Sequence, residues 1–519
     1  MDWSPEVEEI NRRRQAALKM GGEESVARHR GNGRLTVRER IDALLDPGSF
    51  EELGALTGFS RTNARGELES VTAANVVLGL GRIDGRRVVV VGDDFTIRGG
   101  SSEASSQPKQ RHAEQLPHEF RLPLIRLVDG SGGGGSVREL EHIGRTYVPL
   151  GRYRLPSVYL MARNLAEAPV VGLCLGSVAG IGAMRVAASH YSMMVRDTSH
   201  LFVAGPPLVN ATGEKRTKEE LGGASVHATS GAVDDVVDSE QEAFDRTRRF
   251  LSYLPSSIHE LPARIEPTDD PNRREEMLLS AVPRERRRPY MMRKIINAVV
   301  DKDSFFEMSR AYGKSIVTGL ARLDGWPVAL MAGDPYTLAG SWTAAAAQKI
   351  TRFIDMANTF HLPVVHLVDC PGFEIGLNGE KANTLRHGAR AFFAINQFTG
   401  PWCSVIVRNA FGLGGAAHIP FEARSMRFAW PSARWGSLPI EGGLEAAYRA
   451  EIEAADDPQA KRDEIFARLD AIQSPMRTAE AYDIEDVVDP RETRPLLCRF
   501  ANMAAPLRGT GPTALTMRP

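Results

Sequence analysis

The segment Gly79-Leu80-Gly81-Arg82-Ile83-Asp84-Gly85 returns almost unchanged as Gly319-Leu320-Ala321-Arg322-Leu323-Asp324-Gly325, 240 positions later. The same separation carries Gly100-Ser101 to Gly340-Ser341, Phe120-Arg121-Leu122-Pro123 to Phe360-His361-Leu362-Pro363, and Leu127-Val128-Asp129 to Leu367-Val368-Asp369. An offset that survives without a gap over about fifty residues marks an internal duplication. The chain therefore folds as two copies of one module, and 519 residues allow about 250 for each. Equivalent loops on two related modules suit a reaction in which two different partners meet.

Each copy opens with a helix followed by Phe. Arg40 to Glu51 matches Lys294 to Phe305 at an offset of about 255, so the first half holds about 15 extra residues before its sheet, and the polar stretch around Ser60–Ser70 is the expected insertion. Asn75–Arg82 and Arg87–Val91 read as two strands joined by an Asp84-Gly85 turn, a strong hairpin signal, and Asp324-Gly325 repeats it. Helical spacing over Thr343–Phe360 leads into apolar runs at Pro123–Val128 and Pro363–Val368, which read as buried strands. A last shared block runs from a strand into glycines: Val170–Leu175 then Gly176–Ala183, and Cys403–Val407 then Arg408–Ala416. Alternating short strands and helices indicate an α/β fold with covered sheets. The boundary is expected in the charged, proline-rich stretch Pro262–Arg293, with Glu266–Pro271 as linker, giving domains 1–265 and 266–519. Ala447–Ile472 reads as a polar surface helix.

A formal charge of −1 and 42% hydrophobic residues describe a globular protein with no electrostatic case for nucleic acid or an anionic membrane. The run Arg284-Glu285-Arg286-Arg287-Arg288 reads as a solvated interdomain surface. Cys174, Cys370, Cys403 and Cys498 are scattered, which excludes a disulfide framework and a zinc ribbon, and the histidines show no metal-ligand spacing. The apolar stretch Ala168–Met184 is short and broken by glycine and serine, and the opening residues are acidic where a secretory signal is basic or apolar, which predicts a cytoplasmic protein.

A strand that ends in glycines and opens a helix presents backbone N–H groups with no intrahelical acceptor. Such donors hold a phosphate or a carbonyl oxygen gaining negative charge, and glycine lets the ligand approach. The alternative is that these glycines only permit tight helix–sheet packing; two turns at equivalent places favour a ligand. Gly130–Ser136 and Asp369-Cys370-Pro371-Gly372-Phe373 are loops leaving buried strands, where α/β proteins place ligands. His387 and His418 lie close to these motifs as polar wall residues. No GxSxG elbow is present, which weakens a serine hydrolase reading.

The chain resembles the carboxyltransferase (β) subunits of biotin-dependent acyl-CoA carboxylases, of the propionyl-CoA and methylcrotonyl-CoA type. The likeness rests on Arg34-Leu35-Thr36-Val37-Arg38-Glu39-Arg40-Ile41, Asp46-Pro47-Gly48-Ser49-Phe50, Asp94–Gly100, Glu220–Ala224, Phe250–Pro255, Leu367–Phe373, Arg386–Arg390 and Ala429–Ala433, in the same order along nearly the whole chain. The resemblance implies tandem ClpP/crotonase-like domains, acyl-CoA on the N-terminal one, and biotin on the C-terminal one of a neighbouring subunit in a hexamer. Carboxybiotin delivers the carboxyl group to the acyl-CoA α-carbon, while two backbone N–H pairs hold the enolate oxygen and the ureido oxygen. By position these pairs fall at Gly180 and Ile181 and at Leu413 and Gly414, with Gly182 or Gly412 one step away; Gly133, Gly134, Gly372, Phe373 and Ala416 line the two ligands.

Departures from the family pattern fall at the same places. Ile181 stands where a second glycine is usual, Ala416 where propionyl-type enzymes carry Asp, and Gly132–Ser136 lacks the customary arginine. Arg185 replaces an aromatic residue and is expected either to meet a polar acyl group or, more simply, to form a surface salt bridge. No Met-Lys-Met biotinylation segment and no ATP-grasp pattern occur, so biotin is expected on a separate chain that carries or accompanies the biotin carboxylase. Three other readings differ in what they require. A biotin-dependent decarboxylase or transcarboxylase subunit runs the same chemistry in another direction. A biotin-independent hydratase or isomerase needs an acidic side chain at a turn, and an assembly subunit needs no turnover.

Overall fold

The computed structural model describes residues 2–101, 106–130, 144, 157–421, 424–514 and 517. The chain divides into two compact units, Met1–Glu260 with Met517–Pro519, and Leu261–Thr516. The first holds the strands β1 (Glu51–Leu53), β2 (Gly58–Thr62), β3 (Leu68–Ala73), β4 (Val76–Ile83), β5 (Arg86–Asp93), β6 (Leu124–Val128), β7 (Val170–Cys174), β8 (Ser177–Ala179), β9 (Tyr191–Val195), β10 (His200–Phe202) and β11 (Asp235–Val237). The second holds β12 (Phe306–Met308), β13 (Ile316–Leu323), β14 (Trp326–Gly333), β15 (Val364–Cys370), β16 (Trp402–Phe411), β17 (Ser425–Ala429), β18 (Arg434–Gly436) and β19 (Asp486–Val487).

The main sheets have the same order, β1-β4-β5-β6-β7-β9-β11 and β12-β13-β14-β15-β16-β17-β19. In both, the first three strands pair antiparallel and the rest parallel. Even the register repeats: Val89 pairs with Leu124, and Ala329 pairs with Val364. Both sheets carry the α/β pattern read from the sequence, and their equal order agrees with the tandem crotonase-like domains that the resemblance implies.

The repeated motifs are repeated because they interlock. Asp84, Gly85, Asp324 and Gly325 all have positive φ, the backbone of a tight hairpin turn. The Asp46 carboxylate accepts the Asp84 and Gly85 N–H groups at 3.0 and 2.8 Å, and Asp301 accepts those of Asp324 and Gly325 at the same distances. Ser49 Oγ accepts the Arg82 N–H at 3.0 Å, and Ser304 Oγ that of Arg322 at 3.1 Å. The rings of Phe50 and Phe305 lie where a side chain at Gly79 or Gly319 would project. Helix end, Asp, Ser, Phe and hairpin thus form one self-bracing unit, present twice.

The expected insertion is the hairpin β2–β3, and it alters a buried lysine. Lys349 Nζ donates to the carbonyls of Ser309, Tyr312 and Ile316 at 2.7–3.0 Å. Its counterpart Lys109 donates to Gly54 O at 3.1 Å, beside the point where the hairpin enters, and burial pushes its ammonium pKa down to about 8.

Three expectations change. The strand read as Cys403–Val407 runs on to Phe411, because Asn409–Phe411 pair with β18. The polar helix read over Ala447–Ile472 is two helices, Ile440–Glu453 and Pro458–Ile472, broken where Asp457 caps a helix starting at Pro458, and they share a small core of Ile440, Leu444, Ile452 and Ile465. The arginine run is partly built into the second unit: Arg286 bonds Asp470 and Glu441 and sits over the Phe466 ring. Nearby, the stretch Glu266–Pro271 is held to that unit as well, since Asp269 accepts from Arg273 and from the Lys302 N–H.

Gly340 has φ +85, and a Cβ there would stand 2.4 Å from Asp369 O. Gly340→Ala therefore combines backbone strain with a clash against main chain, and the expected loss exceeds about 1 kcal/mol. A lowered melting transition of the second unit checks it.

Candidate active site

In the first unit the chain leaves β7, crosses Leu175-Gly176 and enters β8, which pairs in parallel with β10, Ser177 opposite His200 and Ala179 opposite Phe202. Gly180 follows with φ 59° and ψ −123°, a conformation reserved for glycine, although nothing lies within 4 Å of where its side chain would be. The requirement is the backbone reversal. The Gly180 N–H donates to Phe202 O at 3.2 Å, and its carbonyl accepts the first helical bond from Met184 at 3.0 Å. The N–H groups of Ile181 and Gly182, in the first turn of the helix Ile181–Ala187, have no intrahelical acceptor.

The second unit repeats this. β16 pairs with β18 through Phe411 and Gly436, then Gly412 turns with φ 60° into the helix Gly412–Ala416, whose carbonyl of Leu413 accepts from Ala417. A Cβ on Gly414 would lie 2.9 Å from Cys370 Sγ and 3.2 Å from Gly372 C, so only glycine lets the turn settle on that loop. Gly372, with φ 124°, accepts the Trp342 N–H, and Phe373 stacks on Trp342 and covers Gly388. The fold thus brings Gly372, Phe373 and Gly414 together, with Leu413 and Ala416 exposed beside them.

Gly180 and Gly412 share φ and place, so the equivalents of Ile181 and Gly182 are Leu413 and Gly414. Of the sequence-based pair Gly180 and Ile181, the Gly180 amide donates to Phe202 O, while the Ile181 amide, like that of Gly182, has no intrahelical acceptor. Gly133 and Gly134 lie outside the described residues.

A family model described as "Carboxyl transferase domain" matches residues 28–510. The chain belongs to the carboxyl transferase family. It is 34% identical over 99% of its length to the propionyl-CoA carboxylase carboxyltransferase subunit of Haloferax mediterranei, covering 98% of that protein. It is 31% identical to the methylmalonyl-CoA carboxyltransferase 12S subunit of Propionibacterium freudenreichii subsp. shermanii, over 98% of this chain and 95% of that one. The crystal structure of the transcarboxylase 12S hexamer with methylmalonyl-coenzyme A and methylmalonic acid bound superposes with a TM-score of 0.87 at 29% identity, over 99% of this chain and 97% of that chain.

Several ionisable residues near the turns of this carboxyltransferase are committed to the scaffold. Arg185 is buried, and its Nη1 bonds both oxygens of Asp93 at 2.9 and 3.1 Å, so the expected surface salt bridge is an interior one. Asp369 accepts Tyr290 OH, Arg408 Nε, and the main-chain and side-chain N–H groups of Asn409. Burial raises its carboxyl pKa, and Arg408 opposes the rise. Sequence reasoning passed over Asn409 and Arg434, which meet across β16 and β18; a polar residue three places before each turning glycine (Ser177, Asn409) was the available signal.

His418 donates from Nδ1 to Gly415 O at 2.7 Å, and burial pushes its pKa down to about 4; His366, donating to His418 O, is pushed down to about 3. Both are neutral at pH 7 and serve the turn as structure. Their folded pKa values lie below the unfolded value near 6.5, so the unfolded chain takes up protons first as pH falls. Stability of the second unit is expected to fall between pH 6.5 and about 3, with the His418 share lost by about pH 4, measured by melting. His418→Gln, which keeps a donor without titrating, should flatten that dependence.

Proposed function

We propose that this carboxyltransferase is the β-type subunit of an acyl-CoA carboxylase, moving a carboxyl group to the α-carbon of an acyl-CoA. The Ile181 and Gly182 amides hold the thioester oxygen as the α-carbon loses its proton and the oxygen takes the charge of an enolate. Carboxybiotin, carried on a separate subunit, supplies the carboxyl group and a base for that proton. The Leu413 and Gly414 amides would hold the ureido oxygen of this group, and Gly372, Phe373 and Ala416 would line its site. The residues fit such a guest: Leu413 and Ala416 are exposed on the helix that follows the turn, and neutral N–H donors suit an oxygen that gains charge during reaction. We place acyl-CoA on the N-terminal domain, biotin on the C-terminal domain of a neighbouring subunit, and the chain in a hexamer served by a biotin carboxylase and carrier.

The observation that carries this reading is the pair of matched turns, each with amides that no helical carbonyl accepts. Main-chain donors aimed at developing charge are worth about 2.7–4 kcal/mol each. Leu413 is exposed and sits in a first helical turn, where proline is tolerated. Leu413→Pro removes one donor and is expected to lower kcat by about 10²–10³-fold, while Leu413→Ala, which keeps the N–H, retains activity. Steady-state transfer to an acyl-CoA in the assembled enzyme measures both, and an undiminished kcat in Leu413→Pro contradicts the assignment.

A further inference from the structure

Three residues before each turning glycine, the two units carry one device made from different side chains. In the first, Ser177 Oγ lies 3.2 Å from His200 Nδ1 across the first rung of the β8–β10 ribbon, and His200 Nε2 lies 3.4 Å from Glu219. In the second, Asn409 and Arg434 occupy the first rung of the β16–β18 ribbon. Arg434 Nε donates to Asn409 Oδ1 at 2.9 Å and its Nη1 to Glu441 at 3.0 Å. Each line runs polar residue, basic residue, carboxylate, and each carboxylate sits in the first turn of a helix that follows the outer strand, Lys218–Gly222 or Ile440–Glu453.

A serine, a histidine and a glutamate in contact suggest a nucleophile, but distance excludes it here. Ser177 precedes Gly180 by three nearly extended residues, about 10 Å at roughly 3.3 Å each. That is too far to attack a carbonyl held on the Ile181 and Gly182 amides. What the two lines share is the pinning of a ribbon only three rungs long, whose last rung delivers the turn. Arg434 does more than pin: its guanidinium lies 5.7 Å from the centre of the Phe411 ring, one residue before Gly412. Through Asn409 Nδ2 it is linked to Asp369, the residue that opens the loop to Gly372 and Phe373. One side chain therefore ties the turn, the loop it rests on and the following helix.

Building on the carboxyltransferase reading, we infer that Arg434 is a positioning residue for the Gly412–Gly414 turn, the part His200 plays for Gly180–Gly182. A ribbon that slips by a fraction of an ångström still binds substrate, but its amides no longer meet the charge that develops during reaction. The loss therefore falls on kcat and spares KM.

The test uses the assembled enzyme with its biotin-bearing subunit. Arg434→Lys keeps the charge beside Glu441 but cannot offer two donors in one plane. It is expected to melt like wild type while kcat falls at least tenfold and KM for acyl-CoA stays within twofold. Glu441→Gln, the milder variant, is expected to lower kcat about threefold, and His200→Phe to give the same split in the first unit. Wild-type kcat in Arg434→Lys overturns the inference, as does a kcat loss that merely follows a lowered melting temperature. A wild-type enzyme that transfers no carboxyl group contradicts the function reading alone, because hydrogen exchange still reports on the relay. The Ala417 and His418 amides, bonded to Leu413 and Gly415 carbonyls, should exchange at least tenfold faster in Arg434→Lys, and unchanged exchange overturns the inference.

Discussion

A carboxylate buried at the end of a central strand is tolerable only when a cation or hydrogen-bond donors meet it, and in each unit that demand arranges the residues around the turn. Asp369, fully buried, collects Tyr290, Arg408 and both N–H groups of Asn409, and so fixes the far end of β16. Asp129, its counterpart, is met by Arg40 at 2.8 Å, while Arg40 also grips Glu240 with two bonds and Leu175 O with a third. Removing one partner of such a buried pair typically costs about 3–5 kcal/mol, because the other charge is left uncompensated. The backbone of each turn is thus aimed by buried side chains.

Duplication kept the frame and changed what surrounds the turns. The hairpin brace with its Asp, Ser and Phe survives nearly atom for atom, and both glycines of the pair Gly100 and Gly340 press a would-be Cβ against the carbonyl of Asp129 or Asp369. Beyond those aspartates the copies diverge. Val170 and Trp402 begin equivalent strands at an offset of 232 (402 − 170), eight fewer than the 240 held before. The residues flanking the turns change class: Arg185 with Asp93 in one unit, Cys370 against Gly414 in the other, and Ser177–His200 against Asn409–Arg434. Two turns of one shape, set in different chemical surroundings, are what a transfer between two unlike molecules needs.

Much of the fold could be read because local signals agreed with the global one. The Asp-Gly hairpins, the apolar strands and the helix Ala344–Thr359 each carry their own instruction, and the 240-residue repeat states it twice. Where reading failed, the deciding partner was distant in sequence. Arg408 and Asn409 look like a polar turn until Asp369 receives them. Arg185 looks like a surface residue until Asp93 is placed beneath it. Which amide is free at Gly180 depends on Phe202, across a ribbon that composition does not announce. The break at Asp457-Pro458 is the exception, since the capping signal was local and was outweighed by the helical run on either side.

The proposed transfer depends on neutral amides meeting a charged oxygen at two matched bends. A crystal structure of the assembled enzyme with an acyl-CoA bound tests this most directly. The thioester oxygen is expected within about 2.7–3.1 Å of the Ile181 and Gly182 nitrogens, with Gly180 still bonded to Phe202. A thioester oxygen turned toward a side chain, with those two amides bonded elsewhere in the protein, would contradict it.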